Sequence, residues 1–116
     1  MILSWLSALL VTQLVEGPIY AKALRGPDAP DRGWPATIAL ALGASMLTHP
    51  VVWFVIPPLI PEPWLAMVVV AELFAILAEA AYFRAFGLRR ALLWSAFANA
   101  SSVVVGEVMR ALIDWP

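Results

Sequence analysis

The chain has 116 residues, of which 63% are hydrophobic and 13% charged, with seven Lys and Arg, eight Asp and Glu, one His and no Cys. Soluble domains average about 45–50% apolar and about 25% charged residues, so this composition excludes an ordinary soluble fold. A net charge of −1 provides no basic surface for nucleic acid, and the lack of Cys excludes disulfides and thiolate metal sites. We therefore expect an integral membrane protein.

Four apolar segments follow one another, each close to the roughly 20 residues with which an α-helix crosses a bilayer. They cover about residues 2–22, 36–56, 64–86 and 90–113. Pro- and Gly-rich stretches at 25–35 and 57–63, and a turn at Gly87, separate them. The sequence predicts an all-α fold in which the whole chain forms one domain, a four-transmembrane-helix bundle. A signal peptide is the alternative for the first segment, but Gln13 and Glu16 interrupt its apolar core.

Basic residues are unevenly distributed among the three connections. They flank the first and the third connection, and they are Lys22, Arg25, Arg32, Arg84, Arg89 and Arg90. The positive-inside rule places these two connections in the cytoplasm and both termini outside, and a bacterial inner membrane is the expected location. Tryptophans near the span ends fit an interfacial belt, namely Trp5, Trp34, Trp53, Trp64 and Trp115. Trp94, one turn inside the fourth span, fits less well.

The two predicted hairpins share a short pattern. In the first hairpin, the segment 16–22 that begins with Glu16 precedes Gly43-Ala44-Ser45. In the second, the segment 79–84 that begins with Glu79 precedes Asn99-Ala100-Ser101. This similarity predicts two parallel helix-hairpin repeats related by an axis along the membrane normal. Chance similarity in an Ala- and Leu-rich sequence is the alternative.

Six polar residues lie inside the predicted spans, where a charged group costs at least about 2.5–3.5 kcal/mol. They come from all four spans and are Glu16, His49, Glu72, Glu79, Asn99 and Glu107. With a rise of about 1.5 Å per residue, their estimated depths run from roughly 9 Å for Glu16 to about 25 Å for Glu107. We interpret this ladder as an ion or proton pathway. Structural hydrogen bonds are the alternative, and for Glu107 an ion pair with Arg110.

The only His of the chain is expected to lie beside a carboxylate. The estimated depths of His49 and Glu72 differ by about 1.5 Å, and Glu72 has no basic partner at helical spacing. Pro50 also frees the carbonyl of Met46 next to His49. His49 and Glu72 are therefore candidate ligands of a bound metal ion, and no other cofactor is indicated.

A stripe of small residues on the fourth span predicts close helix packing, because small and hydroxyl side chains let membrane helices approach and bond. The stripe consists of Ser95, Ser101, Ser102 and Gly106.

The leading functional hypothesis is a small polytopic membrane protein that conducts, transports or senses a cation, either a proton or a metal ion, through the polar ladder. Four helices enclose little space, so we expect a homo-oligomer or a larger membrane complex in the lipid bilayer. The alternative is a non-catalytic structural or assembly subunit. An intramembrane enzyme ranks third, because the sequence contains no complete catalytic motif.

Overall fold

The computed structural model describes residues 2–114, so Trp115 of the expected aromatic belt lies outside the described residues. The described residues are 84% helical and contain no strand, which confirms the all-α prediction. The helices are α1 (Ile2–Arg25), α2 (Trp34–Pro50), a π-helical segment (Val51–Val55), α3 (Ile56–Leu59), α4 (Trp64–Ala85) and α5 (Ala91–Ile113).

Three helical stretches within residues 2–114 are long and apolar enough to cross a membrane. They are Trp34–Leu59, Trp64–Ala85 and Ala91–Ile113. The fourth long helix, α1, has 24 residues and contains both Gln13 and Glu16. All four lie where the sequence places spans, with ends shifted by about one to three residues.

The second helical stretch differs from the expectation at its end. Pro50 has no N–H, so the helix continues past it as a π-helical turn in which the N–H of Ile56 donates to the carbonyl of Val51. Pro57 and Pro58 then fall in the first turn of α3, where a missing N–H costs nothing. The connection to the next long helix therefore begins at Ile60 and not, as the sequence predicts, at Pro57.

The four long helices of the described chain pack in a closed order, in which α1 and α4 each contact α2 and α5. Large buried side chains fill one half of the interior, with Tyr20, Leu24, Phe83 and Leu88 at most 1% exposed. Buried alanines on α2 and α5 let the helices approach closely around them. The outer surface carries leucines from every long helix, as a lipid-facing surface would.

The loop 26–33 and the turn 86–90 meet at one end of the molecule, which we call the basic end. Asp28 in the loop is 4% exposed and accepts hydrogen bonds from the Arg90 guanidinium at 3.0 Å and from the Trp94 indole N–H at 3.0 Å. Arg89 adds its backbone N–H, which donates to the Asp28 carbonyl at 2.6 Å. This Asp28 cluster (Asp28, Arg89, Arg90 and Trp94) explains why Trp94 lies a turn inside the helix.

The cluster also sets the ionisation of its carboxyl group. The Trp94 hydrogen bond, followed by the hydrogen bond and charge of Arg90, holds the pKa of Asp28 below its ordinary value of 3.8. Asp28 therefore stays a carboxylate and joins the first loop to the start of α5.

Candidate functional site: a buried carboxyl pair beneath a cavity

Glu16 of α1 and Glu79 of α4 meet in the middle of the molecule. Each is 2% exposed, and α2 and α5 each supply hydrogen-bond donors to both carboxyl groups. Within residues 2–114, neither forms a salt bridge with Lys, Arg or His. Two carboxyl groups that share a buried site without a cation repel each other if both are ionised.

Neutral donors surround the Glu79 carboxyl group. Its Oε1 accepts hydrogen bonds from the Tyr20 hydroxyl at 2.6 Å and from Nδ2 of Asn99 at 3.1 Å. Its Oε2 accepts one from the Thr48 hydroxyl at 2.7 Å. The donors come from α1, α5 and α2, so this single carboxyl group joins all four long helices.

Hydroxyl groups from two helices hold the Glu16 carboxyl group. Ser45 of α2 donates to Oε1 at 3.2 Å, and Ser102 of α5 donates to Oε2 at 2.5 Å.

The hydrogen bonds around the pair follow a two-fold pattern. Ser45 and Asn99 each donate to the carboxyl group of their own hairpin. Thr48 and Ser102, three residues further on, each donate to the carboxyl group of the other hairpin. Equivalent positions on α2 and α5 thus carry equivalent donors. The register matches Ser45 with Asn99 and not, as the sequence pattern predicts, with Ser101.

Two aromatic rings close the site toward the basic end. Tyr20 and Phe83 each stand four residues after a glutamate, both are fully buried, and their ring centroids are 4.1 Å apart. Beyond them lie Leu24 and Leu88, each 1% exposed, and then the Asp28 cluster. The carboxyl pair is therefore sealed from the basic end by apolar packing.

A cavity of about 490 Å³ lies on the other side of the pair and extends to Trp64 and Arg110. It brings together every residue of the expected polar ladder, since its walls include Glu16, His49, Glu72, Glu79, Asn99 and Glu107. The remaining walls are mostly apolar, with Ala8, Val11, Met67 and Val103 among them.

The expected pairing of His49 with Glu72 is not formed. The imidazole packs against the rings of Trp5 and Trp53, at centroid distances of 6.3 and 6.0 Å. Its buried Nε2 has no hydrogen-bond partner among residues 2–114. Glu72 is half-buried on the cavity wall. Both residues line the cavity, but no hydrogen bond or ion pair joins them within residues 2–114.

The residues present do not fit the suggested metal site. No group of three or more His, Asp or Glu side chains within residues 2–114 converges on one point. His49 and Glu72 would provide two ligands at most, whereas structural and catalytic zinc sites use three or four protein ligands.

Glu107, at the far end of the ladder, is paired. Its Oε1 lies 3.6 Å from Nη1 of Arg110, and both side chains are about half exposed. This is the ion pair that the sequence offered as the alternative for Glu107. It places Glu107 at the mouth of the cavity and not on its floor.

The small-residue stripe of α5 divides into two groups. Ser95 is fully buried and donates to the Ile76 carbonyl of α4 at 2.8 Å, and Ser102 bonds Glu16, so both join helices. Ser101 instead donates to the Phe97 carbonyl of its own helix, and Gly106 lines the cavity. The interface expected of the whole stripe is therefore formed by Ser95 and Ser102.

Sequence reasoning missed three functional positions. Tyr20 and Thr48 supply the shortest hydrogen bonds to Glu79. Tyr20 stands four residues after Glu16 and Thr48 three residues after Ser45, so each shares a helix face with another site residue. Asp28, in a Pro- and Gly-rich loop, resembles an ordinary turn residue, and no local signal marks it as buried.

Comparison with known protein families, with curated proteins and with solved structures finds no match to this chain.

Proposed function

We propose that this chain is a small polytopic membrane protein that conducts, transports or senses a cation, and that the cation at its centre is the proton. The observation that carries the proposal is the burial of Glu16 and Glu79 in one polar centre, which five neutral donors surround and no basic residue of the described chain neutralises. Two carboxyl groups that share such a site without a cation favour a state in which a proton is bound.

The cavity supports a route for this proton. It links the pair to the end of the molecule that carries Trp64 and Arg110, whereas the Tyr20 and Phe83 rings seal the other side. A proton that enters from the cavity therefore reaches the pair but leaves toward the basic end only after a rearrangement. This asymmetry favours gated transport or sensing over an open pore.

The proposed topology has four transmembrane helices with the basic end in the cytoplasm and both termini outside, in a bacterial inner membrane. Its support is the charge of the basic end, since Arg25, Arg32, Arg89 and Arg90 lie there and connection 60–63 contains no basic residue. The two-fold hydrogen-bond pattern supports two parallel hairpin repeats. We also propose a homo-oligomer or a larger membrane complex, because four helices from a chain of 116 residues enclose little space.

Proton flux into liposomes tests the proposal. Purified protein is reconstituted with a pH-sensitive dye inside the vesicles, and a pH gradient or a membrane potential is applied. We expect flux in the wild type and loss of about tenfold or more in Glu16→Gln, because the amide cannot exchange a proton. Glu16→Gln is the preferred variant, since the Ser45 and Ser102 hydroxyls can rotate to accept from the new amide.

Glu62→Gln is the matched control, because Glu62 is exposed in the connection 60–63. Flux that is equal in wild type, Glu16→Gln and Glu62→Gln would overturn the proposal. Loss of assembly without any change in flux would favour the structural subunit.

A further inference from the structure

We infer that the cavity is a binding site for a hydrophobic organic cation, such as a bulky amine or a quaternary onium ion. The inference rests on the proposed function in that both use the same acidic cavity, and it adds a ligand class to the proton. Three observations support it: the size of the cavity, the sign of its charges and the aromatic rings in its wall.

The size of the cavity exceeds what a proton requires. A volume of about 490 Å³ falls within the roughly 300–1,000 Å³ of small-molecule sites. Its walls resemble such sites as well, because most of the lining is apolar and a few polar groups converge on it. A ligand that fills this space buries hydrocarbon against Val11, Met67 and Val103.

The charges in the cavity select for a cation. Four glutamates line it, at positions 16, 72, 79 and 107, against one basic side chain, Arg110, which is already paired with Glu107. Glu72 is the glutamate best placed for a ligand, because it is half-buried on the wall and has no ion-pair partner among residues 2–114. An anion would be repelled by Glu72, and a neutral ligand would leave Glu72 without a partner.

The aromatic rings in the wall suit an organic cation in particular. Trp53 and Trp64 both line the cavity, and indole is the ring that binds cations best through its face. The chain itself illustrates this chemistry, since the guanidinium of Arg110 stands 5.7 Å from the centroid of Trp64 and 3.6 Å from a Glu107 oxygen. At the mouth of the cavity, the Trp64 ring and the Glu107 carboxylate thus already hold the delocalised cation of Arg110.

Binding of tetraphenylphosphonium to the purified full-length protein tests the inference. The measurement is isothermal titration in detergent, with the quenching of Trp fluorescence as a second readout. Triphenylphosphine oxide provides a similar aromatic bulk without charge, tetraphenylborate the opposite charge, and tetramethylammonium the charge without the bulk. We expect saturable binding of tetraphenylphosphonium, at least about tenfold tighter than that of the other three probes.

Variants locate the site. Glu72→Gln and Trp64→Ala are each expected to weaken tetraphenylphosphonium binding by about tenfold, whereas Glu62→Gln leaves it unchanged. Glu72→Gln is the decisive variant, because Glu72 has no hydrogen bond or ion pair within residues 2–114 whose loss would disturb folding. Binding that is equal for the phosphonium and the phosphine oxide, or equal in wild type and Glu72→Gln, would overturn the inference. The proposed function would still hold in that case if Glu16→Gln loses proton flux, because that flux is measured without the organic cation.

Discussion

The hydroxyl of Tyr20 donates a 2.6 Å hydrogen bond to Glu79, a residue 59 positions away on another helix. The same ring stacks on Phe83. Tyr20 thus stands at the boundary between the polar centre and the apolar seal, and its two contributions can be separated by substitution.

Tyr20→Phe keeps the ring stack and removes the hydrogen bond. We expect the variant to fold and to lose about 1.5–3 kcal/mol of unfolding free energy, as for a hydrogen bond to a charged group. Thermal denaturation in detergent measures the loss. Tyr82→Phe is the control, since its hydroxyl bonds only the Leu40 carbonyl at 3.1 Å, and about 0.5–1.5 kcal/mol is expected. A Tyr20→Phe protein as stable as the wild type would show that Glu79 does not depend on this donor.

Asp28→Asn should loosen the basic end. The folded pKa of Asp28 lies below the ordinary 3.8, so its contribution to stability is fully present above that value and is lost as the pH falls through the folded pKa. We expect the variant to melt lower than the wild type at pH 7, on the order of 5 °C, and the difference to shrink in strong acid.

Asp31→Asn serves as the control for Asp28, because Asp31 is exposed in the same loop. It should melt like the wild type at both pH values. A melting difference between Asp28→Asn and wild type that persists unchanged into strong acid would contradict the role of the carboxylate.

Gly87→Ala should destabilise the turn between α4 and α5. Gly87 has φ of +92°, and a Cβ there would lie 2.8 Å from Cγ of Pro30. Both the left-handed backbone and the rigid ring oppose a side chain, so we expect a loss of about 1–3 kcal/mol. Gly33→Ala is the comparison, because its Cβ would meet Pro35 at an ordinary 3.7 Å. Equal melting temperatures for the two variants would refute this prediction.

Ser102→Ala and Ser101→Ala differ by one position and should differ in effect. Ser102 bonds the buried Glu16, whereas Ser101 bonds its own helix. We expect Ser102→Ala to cost about 1–3 kcal/mol, because it leaves a buried carboxyl oxygen short of a donor, and Ser101→Ala to be close to neutral. Chemical denaturation measures the unfolding free energy of both variants. A larger loss of unfolding free energy in Ser101→Ala than in Ser102→Ala would contradict the described orientation of α5.

Hydropathy alone predicts the helices well, because apolar runs and Pro-rich breaks leave little choice of where spans begin and end. It also predicts that Glu16, Glu72 and Glu79 share one space, because charged groups avoid lipid. The ladder residues do line one cavity.

The partners of these residues could not be predicted in the same way. Each helical residue turns by about 100°, so depth fixes only one of the two coordinates that decide a contact. The estimated depths of His49 and Glu72 match, yet the imidazole packs against Trp5 and Trp53 and does not pair with the carboxyl group. The contacts of Tyr20 and Thr48 depend on how α1 and α2 are rotated about their axes, and those of Asp28 depend on the path of a loop. Hydropathy specifies neither the rotations nor the path.

The π-helical turn at Val51–Val55 gives the chain a place where its length can change. Removing one residue there is expected to convert the turn to regular α-helix, since a π-turn differs from an α-turn by one inserted residue. The same deletion between Glu72 and Glu79 would rotate one carboxyl group by about 100° away from the cavity. In related sequences, single-residue deletions should therefore fall within the π-helical segment Val51–Val55 and not within α4.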